Sequence, residues 1–96
     1  MARLIEFQFR LYVAGDTLNS SQALANLKVL CHAHLENRHR IEVVDVFRDP
    51  GRALADSVFM TPALVRVNPP PALRIVGTLT NTATVLGALG VDPDAQ

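Results

Sequence analysis

The sequence predicts an α/β fold, in which a four-stranded mixed sheet is covered by helices on both faces and the chain order is βαβαββα. Three observations lead to this prediction. Apolar and polar residues alternate over residues 5–13, apolar residues recur at helical spacing over residues 19–36, and residues 41–47 are mostly β-branched and apolar. A strand, a helix and a second strand in this order form a βαβ unit with a right-handed crossover.

The first strand has one apolar and one polar face. One face carries Ile5, Phe7, Phe9, Leu11 and Val13, and the other carries Glu6, Gln8, Arg10 and Tyr12. A turn over residues 14–17 ends the strand. We predict that Asn19 caps the following helix, with Gln22 in the capping-box position. Cys31 falls on the apolar stripe of this helix.

The second strand, residues 41–47, is apolar on both faces. This pattern predicts a strand buried on two sides, as in a parallel sheet. Asp49 followed by Pro50 is typical of a helix start, with a capping acid before a proline in the first helical position. We therefore predict a short helix over residues 50–58.

The C-terminal half of the chain predicts two more strands and a last helix. The strands at 63–67 and 72–76 form a natural hairpin across the connector 68–71, whose three prolines donate no amide hydrogen bonds. Gly90 is the stop signal of the last helix. The candidates for its N-cap are Thr80 and Asn81. We expect residues 91–96 to form a frayed tail.

Length and charge limit the class of protein. The 96 residues predict one domain over residues 1–96. Nine basic and nine acidic residues cancel, which argues against binding to nucleic acid or a membrane surface through net charge. No stretch approaches the roughly 18 apolar residues of a membrane span, and the N-terminus has no continuous apolar run. We therefore expect a cytoplasmic protein without a signal peptide. A single cysteine implies no oxidising compartment.

The predicted element order is that of the thioredoxin-like fold. Enzymes of this fold need a reactive thiol between the first strand and the first helix, where the helix N-terminus favours the thiolate. Residues 14–21 fill that junction here and contain no cysteine. Cys31 lies about three turns further along the helix, so we predict an inert buried thiol. This arrangement disfavours redox catalysis.

No other group of residues predicts catalysis, a cofactor or a metal site. Ser20 and Ser21 lie at the helix start, where serine usually serves the cap, and no GxSxG motif is present. His32, His34 and His39 lack the spacing of metal ligands. The glycines form no phosphate-binding motif. We therefore predict that the protein is not an enzyme and binds neither a cofactor nor a metal.

Four arginines leave two interpretations open. Arg66 and Arg74 lie on the two strands that flank the prolines, and Arg48 and Arg52 flank the start of the second helix. They are either solvated surface arginines or part of a surface that binds a partner.

Several segments together resemble the KaiB family. Leu11–Gly15 followed by Asn19–Ser20 resembles the opening of that family, and Val43–Val46 with Asp49–Pro50 resembles its second strand and the next helix start. The remaining segments follow in the family's order and spacing: Thr61–Leu64, Pro69–Pro71, Arg74–Ile75, Gly77 and Leu79–Asn81. The resemblance covers residues 7–89, and the triple proline after the Thr-Pro-led strand is its most specific motif.

The resemblance implies a non-enzymatic regulatory module that binds KaiC, a ring-shaped ATPase, and modulates its phosphorylation and a clock or stress output. It also implies KaiA as a further partner and a KaiB-like sensor of a histidine kinase as a competitor. Family members switch between a thioredoxin-like monomer and a homotetramer with a rearranged C-terminal half. A tetramer or dimer with helix within residues 63–76 and a strand near residues 85–90 is therefore the alternative fold. The resemblance implies a cis peptide bond at Pro62, and it assigns the switch to Pro62, Pro69, Pro70, Pro71, Gly77 and Gly87.

By family analogy we place partner binding on the second strand and the second helix. The residues of this predicted site are Glu42, Asp45, Arg52 and Asp56. The sequence departs from the clock-type pattern at Gln22, Ser57, Leu73 and Thr78, which predicts a divergent member whose charged contacts to KaiA and KaiC differ. Two further hypotheses are a KaiB-like sensor or adaptor module that docks on a histidine kinase, and a thioredoxin-like redox protein. The missing cysteine pair disfavours the redox protein.

Overall fold

The computed structural model describes residues 6–91, and over these residues it confirms the predicted element order. The strands are β1 (Phe7–Val13), β2 (His39–Asp45), β3 (Ala63–Asn68) and β4 (Leu73–Val76), and the helices are α1 (Leu18–His34), α2 (Pro50–Ala55) and α3 (Thr82–Leu89). The strands form one mixed sheet in the order β2-β1-β3-β4. β1 is parallel to β2 and antiparallel to β3, and β3 is antiparallel to β4.

The alternation predicted for β1 is confirmed, because its two faces contribute to two separate cores. Phe7, Phe9, Leu11 and Val13 join the buried residues of α1 and α3 on one side of the sheet. On the other side, Tyr12 is fully buried in a smaller core with residues of β2, β3 and α2. The predicted Ile5 lies outside the described residues.

The burial predicted for the second strand is wrong. β2 lies at the edge of the sheet, and of its seven residues only Val44 is buried. Val43 is exposed, and Phe47, which was predicted to belong to this strand, lies beyond its end with 76% of its surface exposed. An apolar, β-branched segment favours a strand, but its composition does not show whether a further strand pairs with it.

The helix boundaries differ from the prediction at the start of α1, at the end of α1 (His34 instead of residue 36) and at the end of α2. Thr17, and not Asn19, is the N-cap of α1, because the Thr17 hydroxyl accepts a hydrogen bond from the amide of Ser20. α2 ends at Ala55, three residues before the predicted end, since Ser57 adopts a positive φ of 57°. Asp49 occupies the N-cap position of α2, but its side chain makes no capping hydrogen bond.

The C-terminal half agrees with the thioredoxin-like prediction. β3 and β4 form the predicted hairpin, and the Thr61–Pro62 peptide bond is cis. Asn81 caps α3 by accepting a hydrogen bond from the amide of Thr84, and Gly90 ends the helix in the left-handed conformation. Val91, predicted to begin a frayed tail, is buried, and its amide bonds to the carbonyl of Leu86. Residues 92–96 lie outside the described part of the chain.

Within residues 6–91, no helix combines the length and the hydropathy that a membrane span requires.

Candidate functional site

A network of five polar side chains joins β1, β2 and α2 on the face of the sheet that α2 covers. Its members are Arg10, Tyr12, Glu42, Arg52 and Asp56, and we call it the polar network. Arg10 lies at its centre, with Nε 3.0 Å from Oε1 of Glu42 and Nη1 2.7 Å from Oδ2 of Asp56. Because Arg10 belongs to β1 and Asp56 follows the last residue of α2, this one side chain connects the sheet to the end of the helix.

Arg52 and Tyr12 complete the polar network. The two terminal nitrogens of Arg52 donate to the two carboxylate oxygens of Glu42, each at 2.7 Å, which is the bidentate geometry of strong arginine–carboxylate pairs. The Tyr12 hydroxyl lies 3.0 Å from the carbonyl oxygen of Arg52 and forms a hydrogen bond with the carboxylate of Asp56. Every charge in the network therefore has a partner of opposite sign.

These contacts shift the protonation equilibria of the network. Hydrogen bonds from Arg52 and Arg10 lower the pKa of Glu42 to about 2. Burial, and then the hydrogen bond to the Asp56 carboxylate, raises the pKa of Tyr12 to about 12. Burial alone would raise the pKa of Asp56, but hydrogen bonds from Tyr12 and Arg10 outweigh it, and that pKa lies below its usual value. At neutral pH the network thus holds two carboxylates, two guanidinium groups and a neutral phenol.

The structure brings together three of the four residues predicted to bind a partner. Glu42, Arg52 and Asp56 all belong to the polar network, whereas Asp45 lies apart from it. Oδ1 of Asp45 accepts hydrogen bonds from the amides of Gly15 and Phe47, at 3.3 and 2.9 Å, so its contacts are with the chain's own turns. None of these four residues is tested as a partner contact by the structure, and that role stays a prediction.

Arg10 and Tyr12 belong to the site but were not among its predicted residues. The alternation of β1 placed both on its polar face, but it could not show that Glu42 lies opposite Arg10 in the register of β1 and β2. The network spans 46 positions between Arg10 and Asp56. Only the packed fold brings such distant residues within hydrogen-bonding distance.

The four arginines have different environments. Arg48 is solvated, with 88% of its side chain exposed and a single contact of 4.0 Å to Asp45. Arg52 belongs to the polar network, and Arg74 Nη1 lies 3.3 Å from the carbonyl oxygen of Asp56. Arg66 is partly buried and donates to two backbone carbonyls, so neither interpretation offered by the sequence describes it.

The junction between β1 and α1, where a thioredoxin-like enzyme would keep its thiols, is occupied by hydroxyl groups. Ser20 is buried, and its Oγ accepts hydrogen bonds from the Ala14 amide at 3.1 Å and from the Thr17 hydroxyl at 2.8 Å. An open cleft of about 490 Å³ lies beside it. Cys31 is fully buried in α1, and burial raises its pKa to about 12, as predicted for an inert thiol. Among residues 6–91, no three histidine, cysteine, aspartate or glutamate residues gather as a metal site would require.

Large apolar side chains are exposed on α2 and on the turns at its two ends. We call this set the α2 surface, and its members are Phe47, Leu54, Phe59 and Met60, with exposures from 66 to 80%. The turns before and after α2 both lie at the end of the sheet where β2 stops and β3 begins, because β2 and β3 run in opposite directions relative to β1. Aromatic residues and methionine, which make up three of the four members of the α2 surface, are enriched at protein interfaces.

The fold and the site define a thioredoxin-like module that has no thiol at the junction where such enzymes need one. The sequence of residues 10–91 matches the KaiB domain. The chain therefore belongs to the KaiB family, as the motifs predicted.

Two circadian clock proteins are similar to this chain in sequence. It is 38% identical to the circadian clock protein KaiB3 of Synechocystis sp. over 85 residues, which cover 88% of this chain and 83% of that protein. It is 37% identical to the circadian clock oscillator protein KaiB of Gloeothece citriformis over 86 residues, which cover 90% and 79% of the two chains.

Among solved structures, the N-terminal domain of SasA from Synechococcus elongatus superimposes with a TM-score of 0.76 and 21% identity, over 94% of this chain and 89% of that one. Chloroplastic thioredoxin z superimposes with a TM-score of 0.71 and 18% identity, over 88% and 76%. At these identities the two structures show that the fold is thioredoxin-like.

Proposed function

We propose that this protein is a non-enzymatic regulatory module that docks on a KaiC-type ATPase and modulates its phosphorylation and a clock or stress output. The observation that carries the proposal is the α2 surface, whose four large apolar side chains are exposed. Membership of the KaiB family and relatives that are named circadian clock proteins support the choice of partner.

The α2 surface has the composition of a docking site. Exposed apolar area costs about 25 cal/mol for each Å² that is left in contact with water, so a partner that covers it gains free energy. Aromatic residues and methionine are enriched in the cores of protein interfaces, and Phe47, Phe59 and Met60 provide them here. Arg48, with 88% of its side chain exposed, adds a charge that has no bidentate partner within the described chain.

The decisive experiment measures binding to the purified KaiC-type ATPase of the same organism, by calorimetry, for the unmodified protein and for matched variants. We expect Phe47→Ala and Phe59→Ala each to weaken binding by about tenfold or more, as truncated interface anchors do. Val29→Ala is the control, because Val29 is equally apolar and 70% exposed but lies on α1. No binding by the unmodified protein, or equal losses in all three variants, would refute the proposal.

A second candidate is a sensor or adaptor module that docks on a histidine kinase. It is favoured by the likeness to the N-terminal domain of SasA, which is one part of a longer protein and superimposes over 94% of this chain. Calorimetry with the sensor-linked kinases of the organism distinguishes the two candidates. Tight binding to a kinase, together with no binding to the ATPase ring, would favour this second function.

We also propose that the thioredoxin-like form is the monomer and that a dimer or tetramer with a rearranged C-terminal half is accessible. Pro62, Pro69, Pro70, Pro71, Gly77 and Gly87 are the residues that we assign to this change. NMR secondary shifts over residues 63–91 at several protein concentrations test it. Strand shifts near residues 85–90 that grow with concentration are the expected result, and unchanged helical shifts at all concentrations would contradict it. Binding of KaiA is a separate question, which is tested by adding KaiA to the complex of this protein with the KaiC-type ATPase.

A further inference from the structure

α2 is too short to be stable as an isolated helix. It has six residues, begins with Pro50 and Gly51, and lacks a side-chain cap at Asp49. Isolated helices shorter than about 12 residues are marginal in water, so a helix of this length depends on its tertiary contacts. Ala53 is the only residue within α2 that is buried against the sheet.

The polar network supplies contacts at both ends of α2. In the first half of the helix, Arg52 bonds to Glu42 on β2 and its carbonyl oxygen accepts from Tyr12 on β1. At the C-cap, the carboxylate of Asp56 bonds to Arg10 and Tyr12, and the carbonyl oxygen of Asp56 lies near Arg74 on β4. Together with Arg74, the network thus connects three strands to the six residues of α2 and its C-cap.

Three members of the network are largely buried. The side chains of Arg10 and Asp56 are 25% and 23% exposed, and Tyr12 is fully buried. Charge-assisted hydrogen bonds in such partly dry surroundings are roughly twice as strong as neutral ones. By contrast, Leu54 and the other members of the α2 surface are turned toward solvent. Arg10, Tyr12 and Asp56 are therefore the inner members of the network, whereas the side chains of Glu42 and Arg52 are 50% and 37% exposed.

We propose that Arg10 and Tyr12 are positioning residues, which hold α2 so that the α2 surface is ready to dock, without themselves touching the partner. This inference rests on the proposed docking function. It gives Asp56 a role different from direct partner contact, because this largely buried carboxylate acts through the position of the helix. For a partner that binds only the positioned helix, the apparent dissociation constant is the intrinsic one divided by the fraction of molecules in which the helix is positioned.

The test combines two measurements on Arg10→Gln and Tyr12→Phe. The first is amide hydrogen exchange in the free protein at Asp56 and Val58, whose amides bond to the carbonyls of Arg52 and Ala53. The second is the dissociation constant for the KaiC-type ATPase. We expect faster exchange at these two amides, and a dissociation constant that rises about tenfold for each tenfold fall in the positioned fraction.

A double-mutant cycle separates positioning from contact. If Arg10 and Asp56 act as one unit, the variant that combines Arg10→Gln and Asp56→Asn loses no more affinity than the weaker-binding single variant. If Asp56 touches the partner independently, the two losses multiply, and the inference is overturned. The inference also fails if Arg10→Gln speeds exchange in α2 but leaves the affinity unchanged.

The control for general destabilisation is Cys31→Ala, which opens a cavity in the core on the opposite face of the sheet. It lowers the melting temperature without touching α2, so we expect its affinity to match that of the unmodified protein at temperatures where both are folded. An equal loss of affinity in Cys31→Ala would assign the effect to stability and reject positioning. If the unmodified protein fails to bind the ATPase, the docking function fails, whereas the exchange measurement still reports on the network.

Discussion

Arg66 donates a hydrogen bond of 2.6 Å from Nη1 to the carbonyl oxygen of Leu89, the last residue of α3. Its Nη2 donates to the carbonyl oxygen of Pro71 at 2.9 Å. A positive charge at the C-terminal end of a helix interacts favourably with the helix dipole. Arg66, which lies on β3, thereby connects the end of α3 to the turn of the β3–β4 hairpin.

Replacing Arg66 should destabilise the protein. We expect Arg66→Ala to lower the free energy of unfolding by about 2 kcal/mol, since it removes charge-assisted hydrogen bonds to two carbonyl groups. Urea denaturation followed by circular dichroism measures this change. Arg48→Ala is the matched control, because its side chain is exposed and solvated, and it should shift the stability by less than about 0.5 kcal/mol. Similar losses in both variants would contradict this role for Arg66.

Tyr12 should titrate late in the folded protein. It is the only tyrosine and the chain has no tryptophan, so tyrosinate absorbance reports on this residue alone. The pKa of Tyr12 is raised from 10.0 to about 12. Because the pKa of this acid is raised, folding favours its neutral form. The contribution of Tyr12 to the stability of the fold is therefore complete below pH 10 and is lost as the pH rises from 10 to 12. A folded-state midpoint at the ordinary value for tyrosine would contradict the network geometry.

Acid should weaken the polar network through Glu42. Its pKa is lowered from 4.5 to about 2, so its contribution to stability is complete above pH 4.5 and is lost as the pH falls from 4.5 towards 2. Because Glu42 is half-exposed, solvent screening keeps the effect small. Comparing urea midpoints of the unmodified protein and Glu42→Gln across this range isolates it. Parallel pH profiles of the two proteins would show that Glu42 does not contribute.

Cys31 should not react with thiol reagents in the folded protein. Its side chain is fully buried and burial raises its pKa to about 12, so both access and thiolate are lacking. We expect modification by a disulfide reagent to follow the rate of unfolding and to accelerate in denaturant. Rapid labelling under native conditions would show that the thiol is accessible.

Gly87 in α3 and Gly90 at its C-cap should respond in opposite directions to replacement by alanine. Gly87 lies within the helix with open space around it, so Gly87→Ala should stabilise the protein by about 1 kcal/mol. Gly90 has a φ of 76°, which strains an alanine, so Gly90→Ala should destabilise it by about 1 kcal/mol. Thermal denaturation of the two variants side by side measures both effects. A loss of stability in Gly87→Ala would contradict the helical conformation at this position.

The sequence predicted what depends on local pattern and missed what depends on packing. The alternation of β1 and the Gly90 stop are local signals that were confirmed, and of the two candidate caps for α3 the structure selects Asn81. The exposure of β2 depends on its position at the edge of the sheet, and the residues of β2 do not show whether the strand is central or at the edge. The hydrogen bond between Arg10 and Asp56 depends on where the six-residue helix α2 lies on the sheet. Tertiary packing, and not local sequence, determines that position.

The hydroxyl groups at the junction of β1 and α1 have a consequence for how long any complex of this module lasts. Thioredoxin-like enzymes hold their targets through a mixed disulfide, whose survival follows the surrounding reduction potential. Ser20 and Thr17 instead bond to each other and to the backbone, and Cys31 is buried. The lifetime of a complex is then the reciprocal of a dissociation rate constant, which the contacting side chains determine. Residence time on a partner can therefore be lengthened or shortened by substitution, independently of the redox state of the cell.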